Sequence, residues 1–437
     1  MPLISLAMIV KNEEATLAHC LESVRPVVDE MIVLDTGSTD RTVEIAQDFG
    51  ARIYHFDWCD DFSAARNESL RHCTGDWVLI LDADEAIDPL DYEKVRNACL
   101  NPFADAYDLR VRNYLHTANS TSLDSAVLLN ETDYSEGKNF MFYADNPCLR
   151  LAKNFEGLSF FGKIHESLGH WLLSHGKTTA EHSIVLHHYG KLFSDREEHK
   201  AQYYFLLAKQ DAEKRPTDTW AQFNLLQQAL IAGKWEIALG AAQASLGTQA
   251  EVQPLIFYGA GLALQELGKH KEAIKYFDML LRHAPDHAMT LLRKGFSLEA
   301  LGNVDLGRQL MTRAIGASPS SILGYGYLAE LELRAGNPDQ ARKVALRAIE
   351  LAPGESAMYD LLIKIELSRN NHRQAAADAT QGMRQCPGGG AGMWHRLVAL
   401  HLIQSGEASQ ARSMLELGLQ AFPNDSELMR LGMMIGQ

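Results

Sequence analysis

The sequence predicts two architectures in series: an α/β domain built on an open parallel sheet, then an all-α array of short repeats. Three observations carry this. Short apolar runs alternate with helical patterns through the first hundred residues, and strand–helix alternation builds a parallel sheet with helices on both faces. From about Arg196 the pattern is helical throughout. Within that half, prolines and small residues recur at a step of 34 residues, a period that belongs to stacked repeats.

Residues 3–10 read as the first strand, and Asn12 is placed to cap a helix carrying Leu17, Leu21 and Val24 on one face. Residues 31–34 form the second strand, followed by the turn Asp35-Thr36-Gly37-Ser38-Thr39-Asp40. Thr39 or Asp40 then caps a helix through Val43 and Ala46. A short third strand spans 51–55, a helix 62–72, and the most apolar strand 77–81, which runs into Asp82-Ala83-Asp84-Glu85. Residues 103–190 are less regular. Extended pieces at 106–112, 147–151 and 183–188 are expected to complete the sheet and wall a cleft. Ligands of such sheets bind beyond the carboxyl ends of the strands. Lys11-Asn12-Glu13, the 35–40 turn and 82–85 all fall on that rim.

In the helical half, Pro285, Pro319, Pro353, Pro387 and Pro423 are 34, 34, 34 and 36 residues apart. Gly268, Gly302 and Gly336 keep the same step, as do Ala273, Gly307, Ala341 and Ala375. Two helices with small residues at their crossing and proline at the end resemble the tetratricopeptide repeat. The predicted domains are 1–195 for the sheet, 196–216 as a helical linker and 217–437 for five or six repeats. A stack of such repeats offers a long curved surface suited to a peptide or protein. The last unit ends in Leu428, Leu431, Met433 and Met434, which makes it the candidate contact for a homodimer.

At 437 residues, 46% hydrophobic and 22% charged, the chain has an ordinary globular composition. Its net charge of −15 argues against a general nucleic acid binder. Six scattered cysteines without a C-x-x-C argue against a zinc framework and fit a reducing compartment. The apolar start is too short to cross a bilayer and lacks a preceding basic residue. No transmembrane segment is expected, and the expected location is cytoplasmic.

The rim residues carry the chemistry. Carboxylates at 82 and 84 can offer oxygen ligands to one hard divalent ion, Mg²⁺ or Mn²⁺. Asp35 at a strand end can accept the imide N–H of a uracil or thymine ring, with the rest of its turn serving structure. No G-x-x-x-x-G-K-[ST] or G-x-G-x-x-G occurs, and no glycine follows the first strand. ATPases, Rossmann dehydrogenases and sugar nucleotidyltransferases are thereby disfavoured.

Together these features resemble the inverting family 2 glycosyltransferases, which use the GT-A fold, a Rossmann-like nucleotide-diphospho-sugar transferase domain. The carrying residues are Ser5-Leu6-Ala7-Met8-Ile9-Val10-Lys11-Asn12-Glu13-Glu14 and Asp29-Glu30-Met31-Ile32-Val33-Leu34-Asp35-Thr36-Gly37-Ser38-Thr39-Asp40-Arg41-Thr42. Ala64-Ala65-Arg66-Asn67 and the run from Gly75-Asp76-Trp77 to Asp82-Ala83-Asp84-Glu85 complete the set. The resemblance covers about residues 1–190. It implies a nucleotide-diphosphate sugar donor, a UDP-sugar foremost, and a divalent cation. Asp35 would hold the base, Asp82 would lie near the ribose or sugar, and Asp84 would bind the metal, with Asp82 beside it. Asn12, Glu13, Arg66 and Asn67 would line the donor. Many members carry two acidic residues where this chain has Asp35-Thr36, leaving one carboxylate here for the base. With the repeats added, the chain resembles the branch containing the sublancin peptide S-glycosyltransferase.

An inverting transfer needs a base within reach of the incoming hydroxyl or thiol. In Lys163-Ile164-His165-Glu166 the candidate base is Glu166, with His165 as donor or orienter. The nearby His165-Glu166-Ser167-Leu168-Gly169-His170 is not a zinc-protease helix, because its histidines are five apart instead of four. In the run ending His187-His188, His187 is the chosen third metal ligand, with His188 the other option. The acceptor is expected to be a peptide, a protein or a cell-surface glycan taken through the repeats. The competing reading is a repeat scaffold that binds peptides and carries an inactive sheet domain.

Overall fold

The computed structural model describes all residues except 116–127, 191–193, 247–252, 387–389, 391 and 436–437. The chain divides into two compact units, the first ending at Gly268 and the second beginning at Lys269.

The first unit opens with β1 (Ile4–Val10), α1 (Leu17–Val24), β2 (Glu30–Asp35), α2 (Thr42–Asp48), β3 (Arg52–His55), α3 (Phe62–Arg71) and β4 (Trp77–Ile80). These four strands pair in parallel in the order β3-β2-β1-β4. The sheet then changes character. β5 (Glu85–Ile87), α4 (Tyr92–Leu100), β6 (Ala106–Leu115), β7 (Leu128–Leu129), β8 (Phe142–Lys153), α5 (Gly169–Ser174) and β9 (Thr179–His188) follow along the chain. β8 joins β4 antiparallel, β6 joins β8 antiparallel, β9 runs parallel to β6, and β5 closes the edge antiparallel to β9. The sheet is therefore mixed: the parallel reading holds for the first four strands, and the pieces after residue 103 complete it as expected.

Strand alternation sorts the core into two layers. Ile4, Leu6, Met8 and Val10 of β1 face Leu17, Leu21 and Val24 of α1 and Val95 and Ala98 of α4. Ala7, with Ile32, Val78 and Ile80, faces Leu70 on the side of α3 and Trp171 and Leu172 of α5. Burying each large side chain contributes about 1.5–3 kcal/mol, so both faces are anchored and the carboxyl ends of the strands stay in register.

Two cap assignments change. Asn12 does not cap α1; it sits at φ 56 and its Oδ1 accepts the Thr39 amide at 2.7 Å. α2 begins at Thr42, whose amide donates to Asp40 Oδ1 at 3.0 Å.

Helices α6 (Ser194–Lys214), α7 (Thr219–Ile231) and α8 (Trp235–Ser245) belong to the first compact unit. The boundary drawn at 195–217 thus marks where helices begin, while the compact division falls near 268.

In the second unit, helix pairs keep the 34-residue phase, as in Ala288–Ala300 with Val304–Ala317 and Ile322–Arg334 with Pro338–Leu351. Ala273, Ala341 and Ala375 are fully buried at the crossings. At Gly307 a Cβ would stand 2.8 Å from the Gly295 carbonyl oxygen, so these two helices meet backbone to backbone. The dimer reading of the last helix loses its main residues. Leu428 and Leu431 are buried in a cluster with Ala399 and Leu415, whereas Met433 is 72% exposed. The side chain of Met434 lies outside the described residues.

Candidate active site

The loops after β1 and β2 are laced together. The Asn12 amide donates to Ser38 Oγ (3.0 Å), and the Glu13 amide donates to Thr42 Oγ1 (2.7 Å). Asp35, buried at the end of β2, accepts from the Ser38 amide at 3.0 Å, and His55 Nδ1 lies 3.4 Å from its other oxygen.

Next to this rim runs a chain of charge, largely buried, with Asp82 half-buried at its centre. Arg66 on α3 is 7% exposed and pairs with Asp82, while its Nε donates to Glu166 Oε1 at 2.9 Å. Arg150 on β8 donates to both Asp82 Oδ2 and Glu85 Oε1 at 2.8 Å. The Asp82 amide donates to Glu85 Oε2 at 2.9 Å. Burial pushes the Asp82 carboxyl up, but Arg150 and Arg66 outweigh it and hold the group well below the usual carboxylate range. For Glu85, which is 1% exposed, burial wins over Arg150, and Asp82 adds to it; its pKa is pushed up to about 7. Arg66 Nη1 and Arg150 Nε are buried without a hydrogen-bond partner among the described residues. A buried donor left unpaired costs about 1–3 kcal/mol, so the arrangement has donor capacity to spare for an anion.

Asp84 faces His188, with Oδ2 3.4 Å from Nε2. The other imidazole nitrogen, Nδ1, meets Asn113 Oδ1 at 2.7 Å, which fixes the ring. Gly190 passes directly beneath: a Cβ there would stand 2.4 Å from Asp84 Oδ2 and 2.6 Å from His188 Nε2.

This pattern of strand-end carboxylates coincides with a family match: residues 5–153 fit the model of Glycosyl transferase family 2. The chain carries a family 2 glycosyltransferase domain. Tetratricopeptide repeat models match 224–288, 258–322 and 292–356, which makes the helical half a repeat array. A TPR repeat-containing protein of Synechococcus elongatus is 51% identical over 104 residues, covering 24% of this chain and 26% of that one. An uncharacterized glycosyltransferase of Rickettsia typhi is 32% identical over 161 residues, covering 30% and 55%. The SPbeta prophage-derived glycosyltransferase SunS of Bacillus subtilis is 42% identical over 167 residues, covering 38% and 34%. The chain spans between a quarter and just over half of the length of these relatives.

Within the family 2 domain, the structure reassigns several of the residues read from sequence. His187 is fully buried and donates to or accepts from Tyr114 Oη at 2.6 Å, away from Asp84. The reason is strand parity: β9 pairs His188 with Glu85 and His187 with Ala86, so the two rings leave opposite faces. His188 therefore replaces His187 beside Asp84. Asp82 has both carboxylate oxygens on arginines, so neither is free for a metal. Asn67 spends both ends of its amide on Phe160, donating to its carbonyl (3.1 Å) and accepting from its amide (2.6 Å), and thus clamps backbone instead of donor. Asn12 likewise serves the loop, and Glu13 Oε2 accepts from Thr16 at 3.2 Å. His165 and Glu166, adjacent in sequence, part company: Glu166 turns to Arg66 and His165 to Gln228 at 2.6 Å.

Arg150 and Glu85 were missed. Glu85 closes a run of acids already singled out, and its burial at the sheet edge follows only from pairing with β9. Arg150 comes from an antiparallel strand whose neighbours no local pattern reveals. Among the described residues no group of three or more His, Cys, Asp or Glu side chains is arranged to hold a metal. No described helix is long and apolar enough to cross a membrane.

Proposed function

We propose that this chain is an inverting glycosyltransferase that moves a sugar from a nucleotide-diphosphate sugar, of the UDP class, to the hydroxyl or thiol of a peptide, protein or glycan, in the cytoplasm. The carrying observation is the linked set Glu166–Arg66–Asp82–Arg150, whose Asp82 shares with Asp84 the carboxyl end of β4, as Asp35 holds that of β2. Glu166 takes the proton of the acceptor as its oxygen or sulfur attacks the anomeric carbon. The bond to the diphosphate breaks, its electrons leave with the nucleotide, and the configuration inverts. Arg66 orients Glu166 and Asp82 together. Asp35 accepts the N–H of the base.

Asp84, with His188 beside it, supplies one carboxylate and one imidazole for a divalent cation, a donor set suited to Mn²⁺ or Mg²⁺ once diphosphate oxygens are added. Such an ion neutralises charge on a departing diphosphate. The spare donors on Arg66 and Arg150 suit the same anion. Repeats of this kind suit a protein or peptide acceptor.

The test is thermal stabilisation by UDP with Mn²⁺, since a ligand stabilises the state that binds it. Wild type should gain several degrees, and Asp84→Asn or added chelator should cancel the gain and cut turnover at least a hundredfold. Undiminished stabilisation and turnover in Asp84→Asn would remove this reading.

A further inference from the structure

We infer that α7, the first helix of the repeat half, is a working part of the active site: it sets the turn that carries Glu166, with Gln228 as a positioning residue acting through His165. This deepens the reading of Glu166 as the base and rests on it.

The turn between Phe161 and Ser167 lies beyond the family 2 match, which ends at 153. It is closed by one two-way pair of backbone bonds, Phe161 to Ser167, at 3.0 Å each. Inside it, Gly162 stands at φ 102 and His165 at φ 50. A residue other than glycine is uncommon in this left-handed region, so what holds the turn there is of interest.

The surroundings are specific. From α3, the Phe62 amide donates to the Lys163 carbonyl at 2.9 Å, and Arg66 holds Glu166. From α7, Asn224 Nδ2 donates to the Ile164 carbonyl at 3.1 Å, and Gln228 Nε2 donates to His165 Nε2 at 2.6 Å. One turn earlier on the same helix, Trp220 Nε1 lies 3.7 Å from where a Cβ on Gly162 would be. Residues 220, 224 and 228 are spaced by four and form one stripe along α7, and that stripe faces the turn.

The repeat's own period shows how unusual the stripe is. The left-handed glycine that closes each first helix, Gly233, Gly268 and Gly302, sets the register: Asn224 matches Gly259 and Arg293, and Gln228 matches Ala263 and Ser297. Where the next repeat puts glycine and alanine, the first puts two carboxamides. Asn224 and Gln228 are 1% and 2% exposed, and buried carboxamides need partners. Asn224 Nδ2 and Gln228 Nε2 find theirs in the backbone and ring of the residues just before Glu166, while Asn224 Oδ1 is buried without one among the described residues. Placing amides there serves the turn and not the stacking of the repeat.

The experiment uses the full chain with Gln228→Leu, His165→Ala and the double variant. Leucine is close to glutamine in size and a strong helix former, so Gln228→Leu is expected to keep the helical circular dichroism. Hydrogen exchange of the peptide spanning 161–167 should speed up at least tenfold in Gln228→Leu, with peptides from β1 and β4 unchanged. With UDP-glucose or UDP-N-acetylglucosamine, whichever the wild type hydrolyses in Mn²⁺, kcat should fall at least tenfold while KM stays within twofold. Because Gln228 acts through His165, the double variant should be no slower than His165→Ala alone. Unchanged exchange, or losses that multiply in the double variant, would overturn the proposal. Full turnover by Glu166→Gln would instead sink the base assignment. In that event, or if neither donor is hydrolysed, the exchange measurement still decides whether α7 holds the turn.

Discussion

The two halves of the chain bury charge in different ways. In the repeats, Arg308 and Asn337 donate to the two oxygens of Glu332 at 2.5 and 2.9 Å. Thirty-four residues later, Arg342 and Asn371 do the same to Glu366 at 3.2 and 2.7 Å. Each buried carboxylate is satisfied on both sides, and neither of these arginines has a buried unpartnered nitrogen among the described residues. At the sheet rim, two arginines serve three carboxylates, nothing repeats, and one nitrogen on each arginine is left over. A charged pair copied at the repeat period belongs to the scaffold. An aperiodic cluster with surplus donors fits a ligand. Buried ion pairs by themselves therefore say little about function; periodicity and satisfaction tell the two kinds apart.

The largest effect that could break this comparison is at Arg66. Arg66→Ala strips the cation from Asp82 and Glu166, and breaking a buried pair costs about 3–5 kcal/mol. Its unfolding midpoint should drop and its nucleotide-sugar turnover should fall more than a hundredfold. Arg66→Lys should recover much of the stability and little of the turnover, because a point charge cannot bridge two carboxylates as a guanidinium does. Full turnover by Arg66→Ala would put the rim in the same class as the repeats.

In the repeats, Glu332→Leu copies the residue found one period earlier, Leu298. It should destabilise by about 1–3 kcal/mol, since Arg308 and Asn337 lose an acceptor. Donor turnover should not change; a fall in turnover in calorimetrically folded protein would contradict a purely supporting role.

The smallest effect belongs to Asp105, where the sheet domain uses charge as an ordinary fastener. Its carboxylate accepts from the Thr178 amide and hydroxyl and from Lys153, which lowers its pKa to about 2. A depressed carboxyl contributes stability that is full above the unfolded value near 4 and is lost as pH falls through about 2. Discounted for solvent screening, this amounts to about 1 kcal/mol. Asp105→Asn should be less stable than wild type at pH 6, with the gap in urea midpoint closing between pH 4 and 2. A gap independent of pH would assign the loss to packing.

Much of this molecule is legible in its sequence because its signals are local. β1 to β4 begin and end within a residue or two of the apolar runs, and Asp35, Asp82 and Asp84 follow directly from those ends. The repeat period is visible in prolines alone. What escaped depends on pairing across the chain. Choosing between His187 and His188 requires knowing that β9 meets β5 in a particular register. Arg150 reaches Asp82 from 68 residues away. Asn67 and Asn12 have the polarity of ligand-binding residues, yet the Asn67 amide is taken at both ends by the Phe160 backbone and the Asn12 carbonyl oxygen by the Thr39 amide. The partnership of α7 with the Glu166 turn was hidden because α7 also satisfies the repeat pattern.

Gly190 offers an unusually clean handle on this chemistry. The seat proposed for a cation is floored by bare main chain, and the position of a Cβ is already claimed by the Asp84 carboxylate and the His188 ring. A single methyl group at 190 therefore competes for the space of the Asp84 and His188 side chains while leaving every charge in the protein unchanged. Acid-to-amide variants alter the local potential and the seat together, so their losses mix two causes. Gly190→Ala separates them: it is an isoelectric blockade, a steric off-state in which the electrostatic field of the rim persists and only room is withdrawn.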